Sequence, residues 1–367
     1  MSLTRAEATS TAGLGFHALT VAEVRRETAE AVSIAFEVPP HLRAAFRFTP
    51  GQYLTLRAMM DGEEVRRTYS ICSGLHDGEL RIAIKRQDGG AFSCFANDEL
   101  RASARVEVMP PMGRFTLEPD PLAARTCVAF AAGSGITPVL SILKSVLHRE
   151  KASRFFLFYG NRRTASMMFR ETLAELKDRF LDRLSVLHVL SREQQEVPVL
   201  NGRLDAAKVR LLLREIVPPH AIDHAFICGP AAMIGETERA LIELNVAPAR
   251  IQIERFTPAP GGRRRAPAVV VSETPQAIAM ILYGGVSTEV PVAVAEVVLD
   301  AGLRAGLDLP YSCHGGMCCS CRAKLVSGEV EMETNYSLEP WELAAGYVLT
   351  CQSHPKTERV AVDYDQV

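Results

Sequence analysis

Cys313, Cys318, Cys321 and Cys351 stand in the order C-x4-C-x2-C-x29-C, the spacing of a plant-type 2Fe-2S ligand set. This constrains the fold sharply: one tight loop must aim three thiolates at a small volume while a distant element returns with the fourth. The loop Tyr311-Ser312-Cys313-His314-Gly315-Gly316-Met317-Cys318 suits the task. Gly315 and Gly316 lack a Cβ, so the backbone there can take unusual dihedrals and bring its N–H groups close to sulfur. The competing reading is structural zinc, which favours two short C-x2-C pairs rather than three clustered thiols and a remote one. Cys319 falls outside the spacing and reads as a bystander.

At 367 residues and 47% apolar content the chain is long enough for two or three domains, each with its own core. No run approaches the roughly 18 to 20 apolar residues of a membrane span, and the opening MSLTRAEATSTAGLG lacks the basic and apolar regions of a signal peptide. The expectation is a cytoplasmic protein with no membrane partner. Cys72, Cys94, Cys127 and Cys228 are scattered singly, which fits a reducing compartment. From Val269 onward 13 acidic and 5 basic side chains give −8, leaving 36 basic and 30 acidic elsewhere, or +6. That asymmetry either steers an acidic carrier module toward a basic surface or simply solvates it. Arg263-Arg264-Arg265 is the one basic run and sits in a short Pro/Gly-rich stretch, so no nucleic-acid partner is expected.

Three rhythms divide the chain. Residues 15–120 read as short alternating strands separated by turn signals such as Pro50-Gly51 and Asp77-Gly78, an antiparallel β-barrel. Residues 121–256 alternate apolar strands with helical patterns, including one over Thr164 to Phe180, the mark of a parallel α/β sheet. Residues 257–267, TPAPGGRRRAP, cannot build a core and read as a linker. Residues 268–367 form the third module, with strands at 268–271, 277–283 and 288–292 and a helix at 297–304 leading into the cysteine loop.

Each of the first two modules carries cofactor signals. In the barrel, Arg67-Thr68-Tyr69-Ser70 offers a cation for a phosphate, an aromatic face for an isoalloxazine ring and a hydroxyl for its reactive edge. Downstream, Lys85 precedes Gly89-Gly90-Ala91-Phe92-Ser93, where Gly90 and Ser93 open a short helix whose free N–H groups suit the second phosphate of FAD. In the second module Gly133-Ser134-Gly135-Ile136-Thr137-Pro138 is a strand, glycine turn and helix, the arrangement that lets a pyrophosphate approach the backbone. Ser191 and Arg192, assisted by Arg162 and Arg163, lie after strands where a 2′-phosphate would bind, favouring NADPH over NADH. Cys228-Gly229-Pro230 ends an apolar strand and would set a small polarizable side chain beside the nicotinamide. Ser70 and Cys228 are therefore the candidate catalytic pair, and Phe256 is a candidate cover for the flavin face.

RTYS, GGAFS, GSGITP, CGP and the cysteine spacing, in that order, resemble the ferredoxin-NADP reductase superfamily fused to a C-terminal plant-type ferredoxin. YGNRR-TASMMFR, FICGPAAM, METNYSLEPWELAAGYVLTCQ and VDYDQ are similar, more narrowly, to the reductase subunits of multicomponent phenylacetyl-CoA epoxidases. The resemblance implies a β-grasp fold for the third module. It implies FAD bound at Arg67, Tyr69 and Ser70, and a 2′-phosphate near Ser191 and Arg192. It also implies single electrons passed through the cluster to the di-iron oxygenase of a phenylacetyl-CoA epoxidase complex. A ring-hydroxylating dioxygenase or steroid hydroxylase using NADH is the alternative acceptor system, and a redox-sensing or zinc-binding interaction protein the alternative of another class. Hydride delivers two electrons together while an iron–sulfur centre takes one, so a flavin must stand between them.

Overall fold

The computed structural model describes residues 15–256 and 275–366. In the first module the alternating apolar positions form β1 (His17–Thr28), β2 (Ala31–Glu37), β3 (Tyr53–Met60), β4 (Glu63–Ser70), β5 (Leu80–Lys85) and β6 (Arg105–Val108), in the order β4-β3-β6-β1-β2-β5. The two end strands meet where Ile71 bridges Ile82 and the Cys72 N–H donates to the Arg81 carbonyl at 2.8 Å. The sheet thus closes on itself and leaves no long open edge. Leu19, Ile34, Leu54, Leu56 and Ile82 fill the interior together with Phe92 of α1 (Ala91–Asp98).

The second module runs β7 (Thr126–Ala132), α2 (Ile136–Arg149), β8 (Arg154–Asn161), α3 (Arg170–Arg179), β9 (Leu184–Leu190), α4 (Ala206–Ile216), β10 (His224–Cys228), α5 (Ala231–Glu243) and β11 (Ile251–Glu254). Its strands are all parallel in the order β11-β10-β7-β8-β9. Helices α2 and α3 pack their apolar faces into one core cluster and α4 and α5 into another, so the sheet is covered on both sides. That double cover explains why the strands read as continuous apolar runs. The helix expected over 164–180 is broken: a 3-10 turn at Thr164–Ser166 is followed by Phe169 at φ 58°, and only then does α3 begin. The break turns Met167, Met168 and Phe169 into the core, where all three are buried, and burial outweighs the propensity to continue the helix.

Barrel and parallel sheet belong to one compact unit, and the C-terminal module forms a second. Within the first unit the Ser141 hydroxyl donates to the Ser73 carbonyl at 2.7 Å and Lys144 Nζ meets Asp77 at 2.8 Å, fastening α2 to the barrel.

The second unit contains β12 (Ala277–Tyr283), β13 (Val286–Val292), α6 (Val298–Arg304), β14 (Arg322–Ser327), β15 (Val330–Met332), α7 (Pro340–Ala344), β16 (Tyr347–Leu349), β17 (Ser353–Pro355) and β18 (Arg359–Asp363). Its main sheet has the order β13-β12-β18-β14-β16, in which β12 and β18 are parallel and every other pair antiparallel, while β15 and β17 form a separate ladder. This is a β-grasp arrangement, with Val298, Leu299 and Ala301 of α6 buried in the same core as Ile281, Val290 and Val362. The expected linker at 257–267 and strand at 268–271 lie outside the described residues. No helix among the described residues is long and apolar enough to cross a membrane.

Candidate functional site

Strand alternation separates the barrel string into two faces. Arg67, exposed, and Tyr69, half-buried, share one face, while Ser70 is buried on the other. The Tyr69 ring lies 5.7 Å from that of Phe92, so the RTYS and GGAFS segments touch. The glycine pair ahead of α1 behaves as its sequence suggests, with Gly89 at φ 70° and Gly90 as the N-cap. Ser93 is engaged locally: its hydroxyl accepts from the Gln87 N–H at 3.1 Å and donates to the Gly90 carbonyl at 3.0 Å. Ser93 therefore shapes the loop that presents the N–H groups. Lys85 stands 3.8 Å from Glu30 at the end of β5.

The Ser70 face of β4, opposite the one that packs Val65 and Tyr69 against the barrel core, makes a connection that sequence spacing did not announce. Ser70 Oγ donates to Glu254 Oε2 at 3.3 Å, joining the last barrel strand of this string to the end of β11. Glu254 in turn sits in register with Cys228 on the neighbouring strand β10. Burial pushes the Glu254 carboxyl up to about 8, with the Ser70 hydroxyl offsetting part of that rise. Cys228 is fully buried, and burial followed by the nearby Glu254 charge holds its thiol well above the ordinary range. The two candidate catalytic residues are thus linked through a carboxyl able to hold a proton near neutral pH. Glu254 was absent from the sequence-derived site, since its places beside Cys228 and Ser70 arise only in the folded sheets.

The nucleotide signals converge where the strand order reverses, between β7 and β10, the usual position for a ligand in an open α/β sheet. A Cβ on Gly135 would lie 2.1 Å from the Cys228 carbonyl oxygen, so only glycine allows the two loops to pack. Gly133 takes φ 55°, and its carbonyl accepts from the buried Tyr159 hydroxyl at 3.0 Å. Thr137 Oγ1 donates to the Ser134 carbonyl at 2.9 Å, bracing the turn as Pro138 enters the first turn of α2. Gly229 and Pro230 follow Cys228 directly, with Pro230 as the N-cap of α5. This glycine cradle at a strand-to-helix turn fits a dinucleotide phosphate.

Ser191 and Arg192 extend the β8–β9 ladder, their N–H groups donating to the carbonyls of Asn161 and Arg162 at 2.9 and 2.8 Å. Arg162 and Arg192 therefore lie side by side at the carboxyl edge of the sheet, both exposed. Phe256, just beyond β11, is 42% exposed.

In the C-terminal unit the four thiols lie close enough to act on one another, with Cys321 feeling Cys351, Cys318 and Cys313. Cys318 interacts directly with Cys313, and Cys351 with Cys321. Four free thiols carried by one loop and one distant segment fit the all-thiolate donor set of a 2Fe-2S cluster. The N–H groups of Gly315, Met317 and Cys318 all point at Cys313 Sγ at 3.4 Å. The Cys318 thiol first, then these N–H groups, hold Cys313 below the ordinary thiol range against the opposing effect of burial. The left-handed residues of this segment are His314 (φ 48°), Gly316 (φ 72°) and Cys319 (φ 56°), so the unusual dihedral expected at Gly315 falls on its neighbours. Behind Cys321 and Cys351, Thr350 Oγ1 donates to the Cys321 carbonyl at 2.9 Å and lies 2.6 Å from the buried Tyr364 hydroxyl.

Comparison with known proteins bears on the three modules. Family models match in three segments: an oxidoreductase FAD-binding domain over 18–117, an oxidoreductase NAD-binding domain over 130–239 and a 2Fe-2S iron-sulfur cluster binding domain over 283–356. One component of the 1,2-phenylacetyl-CoA epoxidase of Escherichia coli (strain K12) is 47% identical over 350 residues, covering 95% of this chain and 98% of that one. The ferredoxin reductase component of the 3-ketosteroid-9-alpha-monooxygenase of Rhodococcus rhodochrous is 35% identical over 352 residues, covering 94% and 96%. The solved phthalate dioxygenase reductase superposes with a TM-score of 0.58 at 24% identity, covering 95% of this chain and 98% of its own, a likeness of fold.

Proposed function

Because the chain belongs to the family of oxygenase-system reductases that join FAD-binding, NAD-binding and 2Fe-2S domains, we propose that this oxidoreductase draws hydride from NADPH and supplies single electrons to a phenylacetyl-CoA epoxidase. FAD would accept the hydride, and the 2Fe-2S cluster would carry its electrons onward one at a time. Arg67 and Tyr69 hold the flavin phosphate and ring, and the loop from Gly90 to Ser93 receives the second phosphate. Ser70, Glu254 and Cys228 line the edge where the two rings meet. Cys228 contributes a small neutral surface, since its thiol stays protonated, and Glu254 stores a proton that Ser70 can relay. Gly133 to Pro138 with Gly229 and Pro230 seat the pyrophosphate, Arg162, Ser191 and Arg192 the 2′-phosphate, and Cys313, Cys318, Cys321 and Cys351 the cluster.

The observation that carries the chemistry is the Ser70–Glu254 hydrogen bond with Cys228 in register beside it. The choice of acceptor rests on the identity to the Escherichia coli epoxidase component along nearly the whole chain. Purified holoprotein mixed with NADPH and either the epoxidase or the ketosteroid oxygenase component tests the assignment. NADPH-dependent turnover of phenylacetyl-CoA is expected; turnover with the steroid oxygenase alone would transfer the protein to that system.

A further inference from the structure

Gln352 directly follows the fourth cysteine and is 3% exposed. Its amide nitrogen donates to the His314 carbonyl at 3.0 Å, to the Cys351 carbonyl at 2.8 Å and to Cys351 Sγ at 3.5 Å. Carbonyl oxygens only accept, so the NH2 end of the amide must face them, which settles its orientation. On the far side its oxygen accepts from Thr334 Oγ1 at 2.6 Å. Two N–H bonds face three acceptors, so at least one of them is shared.

The surroundings are shaped around this side chain. Gly316, at φ 72°, would place a Cβ 3.3 Å from Gln352 Cγ and 2.9 Å from the Thr334 carbonyl oxygen. Its bare backbone leaves the amide room to cross from the loop carrying Cys313 to the turn between β16 and β17 that carries Cys351. The first thiol of the set and the remote fourth are therefore tied through one buried amide.

We propose that Gln352 is a positioning residue for the iron–sulfur centre: it locks Cys351 against the loop that carries Cys313, and its N–H···S bond raises the reduction potential of the cluster. The assignment rests on the reading of the four cysteines as 2Fe-2S ligands. A hydrogen bond to a ligand sulfur withdraws electron density and favours the reduced, more negative state. Cys313 already receives three backbone N–H groups; Gln352 supplies the counterpart at Cys351.

The test is an anaerobic redox titration of the holoprotein followed by electron paramagnetic resonance, with iron and sulfide analysis and hyperfine spectroscopy in D2O. Gln352→Leu is expected to keep wild-type iron and sulfide, lose one exchangeable-proton coupling, and lower the equilibrium constant for cluster reduction threefold to tenfold. Tenfold corresponds to about 59 mV for one electron. Gln352→Glu, which removes the donor and adds charge, should lower it further. A wild-type potential and proton coupling in loaded Gln352→Leu overturns the proposal. Should that variant fail to bind iron, Thr334→Val decides: a smaller shift of the same sign supports it, and an unshifted potential overturns it. A wild-type protein without iron and sulfide would instead refute the cluster assignment beneath it.

Discussion

Glu254 is the residue whose chemistry most depends on its place. Its carboxyl ordinarily titrates near 4.5, and burial beside Ser70 and Cys228 moves it up to about 8. Below 4.5 both folded and unfolded chains hold the proton, so the shift costs nothing there. As pH rises from 4.5 to about 8 the unfolded chain releases the proton while the folded chain retains it, and stability declines across that window. Glu254→Gln should therefore gain stability relative to the native protein as pH rises from about 5 to about 8, measured by chemical denaturation; parallel curves would contradict a desolvated acid at this position. The same substitution should remove the limb near pH 8 from flavin reduction and slow that step roughly tenfold, as the loss of a single transition-state interaction would. Stopped-flow reduction at several pH values reads both. Ser70 and Cys228 could be proposed from their motifs, because RTYS and CGP each sit at a strand end. Glu254 was not, since its hydrogen-bond partner lies 184 positions away in sequence and only the folded sheet joins them.

Among the elements, the strand-to-helix turns carry the nucleotide argument. Gly135→Ala drives a Cβ into the Cys228 carbonyl, a backbone atom that cannot swing aside. A stability loss of about 1–3 kcal/mol follows from overpacking, together with a raised KM for NADPH. Unchanged melting and kinetics would show that the two turns do not pack as described. Arg192→Ala and Arg162→Ala should each raise the KM for NADPH roughly tenfold and leave NADH unaffected, in line with a lost charge-assisted phosphate contact. Equal effects on both nucleotides would remove the 2′-phosphate role. The regular elements were readable because their periods are distinct: two in the barrel strands, a continuous apolar run in the strands covered on both faces. The break at Phe169 was not, since the left-handed turn there is imposed by burying Met167 to Phe169 rather than by any turn-forming residue. In the cysteine loop the spacing marked the candidate ligands, but which residues would adopt left-handed backbone depended on the N–H groups that reach Cys313 Sγ.

For the whole molecule, the division into a unit with the flavin and nucleotide sites and a second with the thiols separates two chemistries. Cys313→Ser or Cys351→Ser should abolish cluster assembly while NADPH still bleaches the flavin, checked by iron content and the visible spectrum; unchanged iron would contradict the ligand set. The three modules were visible as changes of sequence rhythm, and the charge asymmetry of +6 against −8 was visible as a count, although its physical use is not encoded in composition. Above all, the protein takes electrons in pairs and releases them singly. An anaerobic titration of the holoprotein with NADPH, followed by visible absorption and electron paramagnetic resonance, puts that to the test. Loss of flavin absorbance should come together with the growth of one reduced 2Fe-2S spin signal. Flavin bleaching with no iron–sulfur signal at any NADPH addition would refute the relay.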